Sequence, residues 1–256
     1  MTPVLAFDIE TVPDVAGIRR IHGLPEDLPE AEVAEVAFQK RRTQSGNDFL
    51  PPHLQKVVVV SGVLRTDEGV RVLSIGEPET EAATLQRFFE GINHYTPQLV
   101  SWNGRNFDLP VLAARGLIHG VAAACFWDTG QDNKDAKWAN YINRFHERHL
   151  DLMDVLSMYG GRGAPLHEVA RLAGLPGKLG VGGAQVWDSY RAGDVASIRD
   201  YCEADCANTY LLYLRFQMMR CALSREQYER ETGLLRAFMQ KQDRPHWKEF
   251  LSLWKT

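Results

Sequence analysis

Cysteine is scarce in this sequence: Cys125, Cys202, Cys206 and Cys221 are scattered through 256 residues. No CxxC pair occurs, which excludes a disulfide-stapled scaffold and a zinc-finger pattern. Cys202 and Cys206 stand four apart on a predicted helix, but no second Cys/His pair lies nearby to complete a metal site, so they read as buried thiols. Long apolar runs are missing too. No stretch reaches the roughly 18 consecutive apolar residues of a membrane span. Met1–Asp8 lacks the basic start and apolar centre of a signal peptide, so a cytoplasmic location with no membrane partner is expected. Nor is there an excess of positive charge. The formal net charge of −4 excludes a protein that coats nucleic acid by bulk attraction, but not an enzyme whose acidic site lowers the total. The basic cluster "KRR" at 40–42 is of the kind found on ordinary solvated helix faces. No internal repeat or low-complexity tract is present. The glycine-rich "GKLGVGG" at 177–183 is not a nucleotide-hydrolysing phosphate loop, because Lys178 is followed by Leu where that motif needs Ser or Thr. It reads as a plain turn or as a flexible loop over a substrate strand.

What the chain does contain is apolar residues at 45%, enough to bury the core of one large domain. Strand signals come early. Val4–Ile9 is apolar, and "KVVVVSGVLR" at 56–65 and "VRVLSIG" at 70–76 are β-branched runs separated by the hairpin signal "TDEG". "QLVSWNG" at 98–104 reads as a short buried strand ending in a turn. Helical periodicity runs from Glu79 through "ETEAATLQRFFEGINHY" and resumes near Phe107. Beyond Gly120 it continues in "KWANYINRFHERH", "DLMDVLSMYG", "PLHEVARLAG" and a long helix from Asp194 to about Arg220, punctuated by glycines at 160–163 and 180–183. The segment 13–55 reads as a helical excursion, and "KQDRPHWKEFLSLWKT" as a terminal helix or docking segment. The β-β-β-α-β-α order predicts an α/β fold in which helices flank a mixed β-sheet, the order of a ribonuclease H-like domain. The expected organisation is one such domain over 1–216, with 13–55 as a helical insertion, and a C-terminal helical extension over 217–256.

The first strand carries a contradiction. In "LAFDIETV", residues 5–12, Asp8 and Glu10 point the same way while Leu5, Phe7 and Ile9 point the other. Like charges on one strand face repel unless a cation sits between them or water solvates both. Other acids stand in matching contexts. Asp108 in "SWNGRNFDLPVL" lies past a strand and at the start of a helix, a place that an ordinary helix N-terminal acid also fills. Tyr201 and Asp205 in "IRDYCEADCANTYLLYLRF" are four residues apart and share a helix face. Asp151 and Asp154 in "HLDLMD" are further acids near a possible strand; for Asp151 a cap on a helix beginning at Leu152 is preferred over metal contact. His119, His146, His149 and His167 show no ligand spacing and take ordinary surface or core roles.

Asp-x-Glu on a first strand, Asn-x-x-x-Phe-Asp after a later one and Tyr-x-x-x-Asp on a late helix occur here in that order. Together they resemble the DEDD superfamily of 3'-5' exonucleases in its tyrosine-bearing branch. The histidine branch would carry His where this chain has Asp200. "FDIET" and "NGRNFDLPVL" resemble the proofreading domain of family B DNA polymerases, and the chain is similar to the bacterial stand-alone family of predicted exonucleases related to that domain. The resemblance spans residues 3 to about 216 and includes "GGAQVWDSYRAGDVASIRDYCEADCANTYLLYLR".

The resemblance implies two divalent cations, Mg²⁺ or Mn²⁺. Asp8 would bridge both, Glu10 and Asp205 would hold the nucleophile-side ion, and Asp108 would serve the second, often through water. Tyr201 would position the attacking water, since a phenol with an ordinary pKa near 10 is a poor general base. Asn103 and Phe107 would contact the terminal nucleotide and Thr11 its sugar, although Asn103 also suits a turn and Phe107 a core. Arg105 and Lys178 are candidates for substrate phosphates. Hard carboxylate oxygens suit these ions, which would offset the repulsion between Asp8 and Glu10. The implied activity releases nucleoside 5'-monophosphates from single-stranded nucleic acid, DNA before RNA, with any proofreading supplied in trans. An exoribonuclease is the nearest alternative and a non-catalytic nucleic-acid binder the next.

Overall fold

A computed structural model describes residues 2–160, 163–180 and 182–255. Gly161, Arg162 and Val181, within the two glycine-punctuated segments, lie outside the described residues. The strands are β1 (Val4–Pro13), β2 (Gln55–Thr66), β3 (Gly69–Gly76), β4 (Gln98–Ser101) and β5 (His149–Asp151). They form one sheet in the order β3-β2-β1-β4-β5. The β1–β2 and β2–β3 pairs are antiparallel and the β1–β4 and β4–β5 pairs parallel, so the sheet is mixed as its sequence order predicts. The helices are α1 (Val15–His22), α2 (Glu30–Ser45), α3 (Glu81–Tyr95), α4 (Asp108–His119), α5 (Ala124–Trp127), α6 (Leu152–Leu156), α7 (Leu166–Leu172), α8 (Val186–Arg191), α9 (Val195–Met219), α10 (Arg225–Gln242) and α11 (Pro245–Leu253). Among the described residues no helix is long and apolar enough to cross a membrane.

The central strand is covered on both faces. Leu5, Phe7 and Ile9 pack with Phe88 and Phe89 of α3 and Leu112 of α4. Val4 and Ala6 pack instead with Ala204, Ala207 and Leu211 of α9. Strand alternation therefore turns Asp8 and Glu10, which continue the Val4–Ala6 face, toward α9. Buried residues surround α9 on all sides from Tyr201 to Leu214. A helix enclosed in this way has no polar stripe to display. The C-terminal helices complete its enclosure, with Leu235, Met239, Trp247, Phe250 and Trp254 joining the same core.

One segment departs from its predicted helix. Residues 140–148 of "KWANYINRFHERH" form turns that lead into β5. Asn140 Oδ1 accepts the Asn143 N–H and Asn143 Oδ1 accepts the Phe145 N–H, both at 2.9 Å. Such local side-chain acceptors compete with the helical backbone pattern. "DLMDVLSMYG" is helical only over Leu152–Leu156, after which Met158 and Tyr159 adopt left-handed backbone at φ 55° and 60°. β4 ends at Ser101 and residues 102–104 make the expected turn, which shapes the site described below.

A buried ionic knot fastens the insertion to the sheet. Arg115 of α4 donates from Nε to Glu81 Oε1 at 2.8 Å, from one terminal nitrogen to Glu81 Oε2 at 2.5 Å and from the other to Asp14 Oδ2 at 2.6 Å. Glu81 Oε1 also accepts the Val57 N–H at 2.8 Å. Removing the cation would leave the buried Glu81 carboxylate with only His119, at 2.8 Å, and the Val57 N–H as partners. Arg115→Met is therefore expected to cost about 3–5 kcal/mol of unfolding free energy. Arg42→Ala, which breaks only exposed pairs with Glu35 and Asp48, should change stability little. Urea denaturation of both variants checks the contrast; equal losses would show the knot to be no more than a surface pair.

Candidate active site

The parallel strands β1, β4 and β5 present their carboxyl ends on one side of the sheet, where open α/β sheets bind ligands. β4 pairs with β1 only as far as Ala6 and Val100, so β1 continues past its neighbour with an unpaired edge. Asp108, the first residue of α4, fills that gap: its Oδ1 accepts the Ile9 N–H at 3.2 Å. The connecting loop is held close. A Cβ on Gly104 would lie 2.5 Å from the Ser101 side chain and 3.3 Å from Asp108 Oδ2. Asn103 takes left-handed backbone at φ 69°, a turn conformation that Asn tolerates. Asp151 accepts the N–H groups of Asn103 and Arg105 at 2.9 Å each. It also caps α6 through the Met153 N–H at 3.1 Å, in keeping with the cap reading. Asp154 is paired with Arg144 at 2.5 and 2.9 Å.

From the other side α9 brings Tyr201 and Asp205, which share a hydrogen bond one turn apart. Cys202, also on this face, places Sγ 3.5 Å from the Asp8 carbonyl oxygen and 3.8 Å from Asp8 Oδ2. Potential ligand atoms of Asp8, Glu10 and Cys202 all lie within 4.8 Å of one another. Lys178 Nζ donates to the Tyr201 hydroxyl at 2.5 Å and stands 3.5 Å from Asp205 Oδ2. Its loop is clamped by Asn208, one turn beyond Asp205. Asn208 Oδ1 accepts the Gly177 N–H at 3.0 Å and Nδ2 donates to the Gly177 carbonyl at 2.9 Å.

The four acids thus converge from β1, α4 and α9, with Tyr201 and Lys178 beside them. Two other candidates sit apart. Thr11 lies across the strand from Glu10 and donates to Gln55 Oε1 at 2.9 Å. Arg105 has Asp154, Asp151, Arg144 and Tyr159 as its charged and polar surroundings. Phe107 is half-buried immediately before Asp108. The histidines fill structural places: His149 Nε2 bonds to the Ser101 hydroxyl at 2.8 Å, and His167 Nδ1 accepts the Lys178 N–H at 3.0 Å. Sequence reasoning missed the contacts of Cys202, the Asn208 clamp and the close approach at Gly104. Cys202 and Asn208 lie in the quoted α9 motif and share a face with Tyr201 or Asp205, but helix spacing alone does not say which face meets the strand.

Burial is the main electrostatic fact of the site. Together with the charges of Asp108, Glu10 and Asp205, it pushes the Asp8 carboxyl well above the usual carboxylate range. Glu10 is raised by burial and Asp205 while Lys178 opposes the shift. Asp108 is pushed up to about 7, first by burial and then by Asp151 against the pull of its backbone hydrogen bonds. Burial also raises Asp205 despite Lys178 and Tyr201. Burial, then Asp205, Glu10 and Asp8, raise Tyr201, which keeps its phenol protonated. Asp205 Oδ1 is buried with no hydrogen-bond partner. An unsatisfied, acceptor-only oxygen among crowded carboxylates fits a hard divalent cation. A second cluster, Asp200, Glu203 and His246, already has a cation of the protein's own, Arg244, at 2.5 Å from Asp200 and 2.9 Å from Glu203.

A family model described as a predicted 3'-5' exonuclease related to the exonuclease domain of PolB matches residues 47–254. The chain belongs to this family. The matched span of this predicted-exonuclease family includes Asp108, Tyr201 and Asp205 and begins after β1. The fold is similar to that of the family B DNA polymerase from the hyperthermophilic archaeon Pyrobaculum calidifontis, with a TM-score of 0.52 and 18% identity over 82% of this chain. This chain spans only 24% of that polymerase. No curated protein matches it.

Raised carboxyl pKa values mean that the folded site holds protons more tightly than the unfolded chain. The stability they contribute is present below the unfolded carboxylate pKa, near 4, and is lost as pH rises through the folded value of about 7 at Asp108. In chelator, the melting temperature should fall between pH 5 and pH 8. Mn²⁺ or Mg²⁺ should raise it again, more at pH 8 than at pH 5, with a stabilisation of about 2.7 kcal/mol where the metal stands at a hundredfold excess over Kd. Asp8→Asn should raise the metal-free melting temperature and abolish the metal response. Melts that ignore both pH and metal would contradict a cation-balanced pocket.

Proposed function

We propose that this protein is a two-metal-ion 3'-5' exonuclease that releases nucleoside 5'-monophosphates from single-stranded DNA. The convergence of Asp8, Glu10, Asp108 and Asp205 around the unsatisfied Asp205 Oδ1 carries this reading. The relation of the family to a polymerase exonuclease domain supports DNA as the first substrate. In the proposed assignment Asp8, Glu10 and Asp205 would hold the ion on the side of the attacking water, and Asp8 and Asp108 would hold the second. When bound, a pair of divalent ions neutralises charge on the phosphoryl oxygens and favours both the attacking and the leaving oxygen.

The remaining residues position and exclude. Tyr201 donates to Asp205 and accepts from Lys178, so its hydroxyl is fixed and stays protonated, suited to orienting a water and unsuited to removing its proton. Attack of that water on phosphorus forms the new P–O bond and breaks the bond to the 3'-oxygen. The phosphate leaves on the released nucleotide and a 3'-hydroxyl remains on the shortened strand. Lys178, partly exposed beside Asp205, is proposed to exchange its contact with Tyr201 for a substrate phosphate. Asn103 is proposed to meet the terminal nucleotide, with Phe107 backing the surface on which that nucleotide rests. A cytoplasmic location agrees with this substrate.

The test uses 5'-labelled single-stranded DNA and RNA of one sequence with Mg²⁺, Mn²⁺ or chelator. A metal-dependent ladder on DNA is expected, with weaker cutting of RNA. Asp8→Ala and Asp205→Ala should each lower kcat by at least 10²–10³-fold on the order of magnitude seen when transition-state charge stabilisation is removed. Tyr201→Phe should lower it by about 10²-fold with binding preserved. Full activity in Asp8→Ala would refute the assignment, and a ladder on RNA alone would change the substrate class.

A further inference from the structure

The insertion between β1 and β2 packs mainly on itself, around Ile18, Val33, Ala37, Leu50 and Leu54. At its tip Leu50 is 3% exposed, yet its neighbour Phe49 is 58% exposed. That exposed ring is not on a loose end. The Phe49 N–H donates to Asn47 Oδ1 at 3.0 Å, and its carbonyl accepts from Arg41 Nε at 2.8 Å. The Leu50 carbonyl accepts from Gln55 Nε2 at 3.0 Å, and Gln55 Oε1 accepts the Thr11 hydroxyl at 2.9 Å. The tip is therefore bonded through Gln55 to the residue that follows Glu10 on β1.

The Phe49 ring lies 5.1 Å from that of Phe107, centroid to centroid, inclined by 56°. Phe107 immediately precedes Asp108, whose carboxylate contacts Asp8. Two aromatic rings from distant parts of the sequence thus meet one residue away from a pocket acid, with Phe107 packed against the apolar cluster that holds Leu5, Phe7 and Ile9 as the backing and Phe49 as the open face. Rings in contact at this angle leave no slot between them, so a flat ligand would lie on the outer face of Phe49. The acids themselves repel a polyanion, and substrate affinity needs a source that carries no charge penalty. Base–aromatic stacking provides one and tolerates any sequence, because every base has a π-face.

We propose that Phe49 is a substrate-positioning residue on whose exposed ring the unpaired 3'-terminal base stacks, backed by Phe107, so that the 13–55 insertion forms one wall of the exonuclease site. This rests on the proposed exonuclease reading and extends it to a segment with no other assigned role. It also gives a physical basis for preferring frayed ends, since a base still paired and stacked in a duplex cannot offer its face to Phe49.

The test measures binding by fluorescence anisotropy in Mg²⁺, using 5'-labelled single strands whose last linkage is a phosphorothioate to slow cleavage. The strands end in either a normal or an abasic nucleotide. For the normal end, Phe49→Ala should weaken binding about fivefold or more, and Phe49→Trp should preserve it. An abasic end should weaken wild type by the same factor and leave Phe49→Ala no worse, because both changes delete one interaction. The exposure of Phe49 makes an unchanged melting temperature the expected control. Unchanged binding in Phe49→Ala, or a full abasic penalty that persists in it, would overturn the platform. Wild type that binds with this pattern but releases no nucleotide under Mg²⁺ or Mn²⁺ would overturn the exonuclease reading and leave the base platform standing.

Discussion

Mutual repulsion among buried carboxylates is the constraint on which the rest of this structure depends. Asp8, Glu10, Asp108 and Asp205 are each raised from ordinary acidity, with burial as the first cause in every case. Left to relax, such groups would separate or draw in water. The fold prevents separation by placing each on a rigid element that is anchored for independent reasons. β1 is held between two strands, α4 begins where β4 has stopped, and α9 is enclosed by the core on every side. The apolar contacts on either side of the sheet supply the free energy that this arrangement costs.

Polar groups around the acids keep their geometry without cancelling their charge. Ile9 and Cys202 offer an amide and a protonated thiol, and these neutral donors orient carboxylates while leaving their net charge in place. Lys178 carries the opposite charge, and it sits partly exposed on a loop held at its base by Asn208. A built-in cation stands one face away, where Arg244 bridges Asp200 and Glu203 while His246 contacts both and ties α11 to α9. The contrast between a compensated cluster and an uncompensated one on the same helix separates a structural role from a chemical one.

How much of this was legible in sequence varied with the range of the interactions. The strand alternation of Asp8 and Glu10, the helix spacing of Tyr201 and Asp205 and the helix start at Asp108 follow from local geometry, and the structure brings these residues together. The turns of 140–148 were hidden because asparagine side chains outcompeted an apolar pattern that looked helical. Phe49 was invisible as a site candidate, since an isolated aromatic in a loop is ordinary until its partner is known. Thr11 and Arg105 lie close in sequence to acids of the pocket, yet strand alternation and the Asp151-held loop carry them elsewhere.

The chain by itself determined which residues carry charge, which elements form and which side chains share a face, because those depend on periods of two and 3.6 residues along a local backbone. Motif order added the kinship to an exonuclease fold. Only the tertiary structure decided that residues 8, 108 and 205 meet, that Lys178 stands over Tyr201 and that Phe49 backs onto Phe107. Those contacts join residues tens to hundreds of positions apart, and their geometry is set by how helices seat on the sheet, a property of the packed core and not of any stretch of sequence.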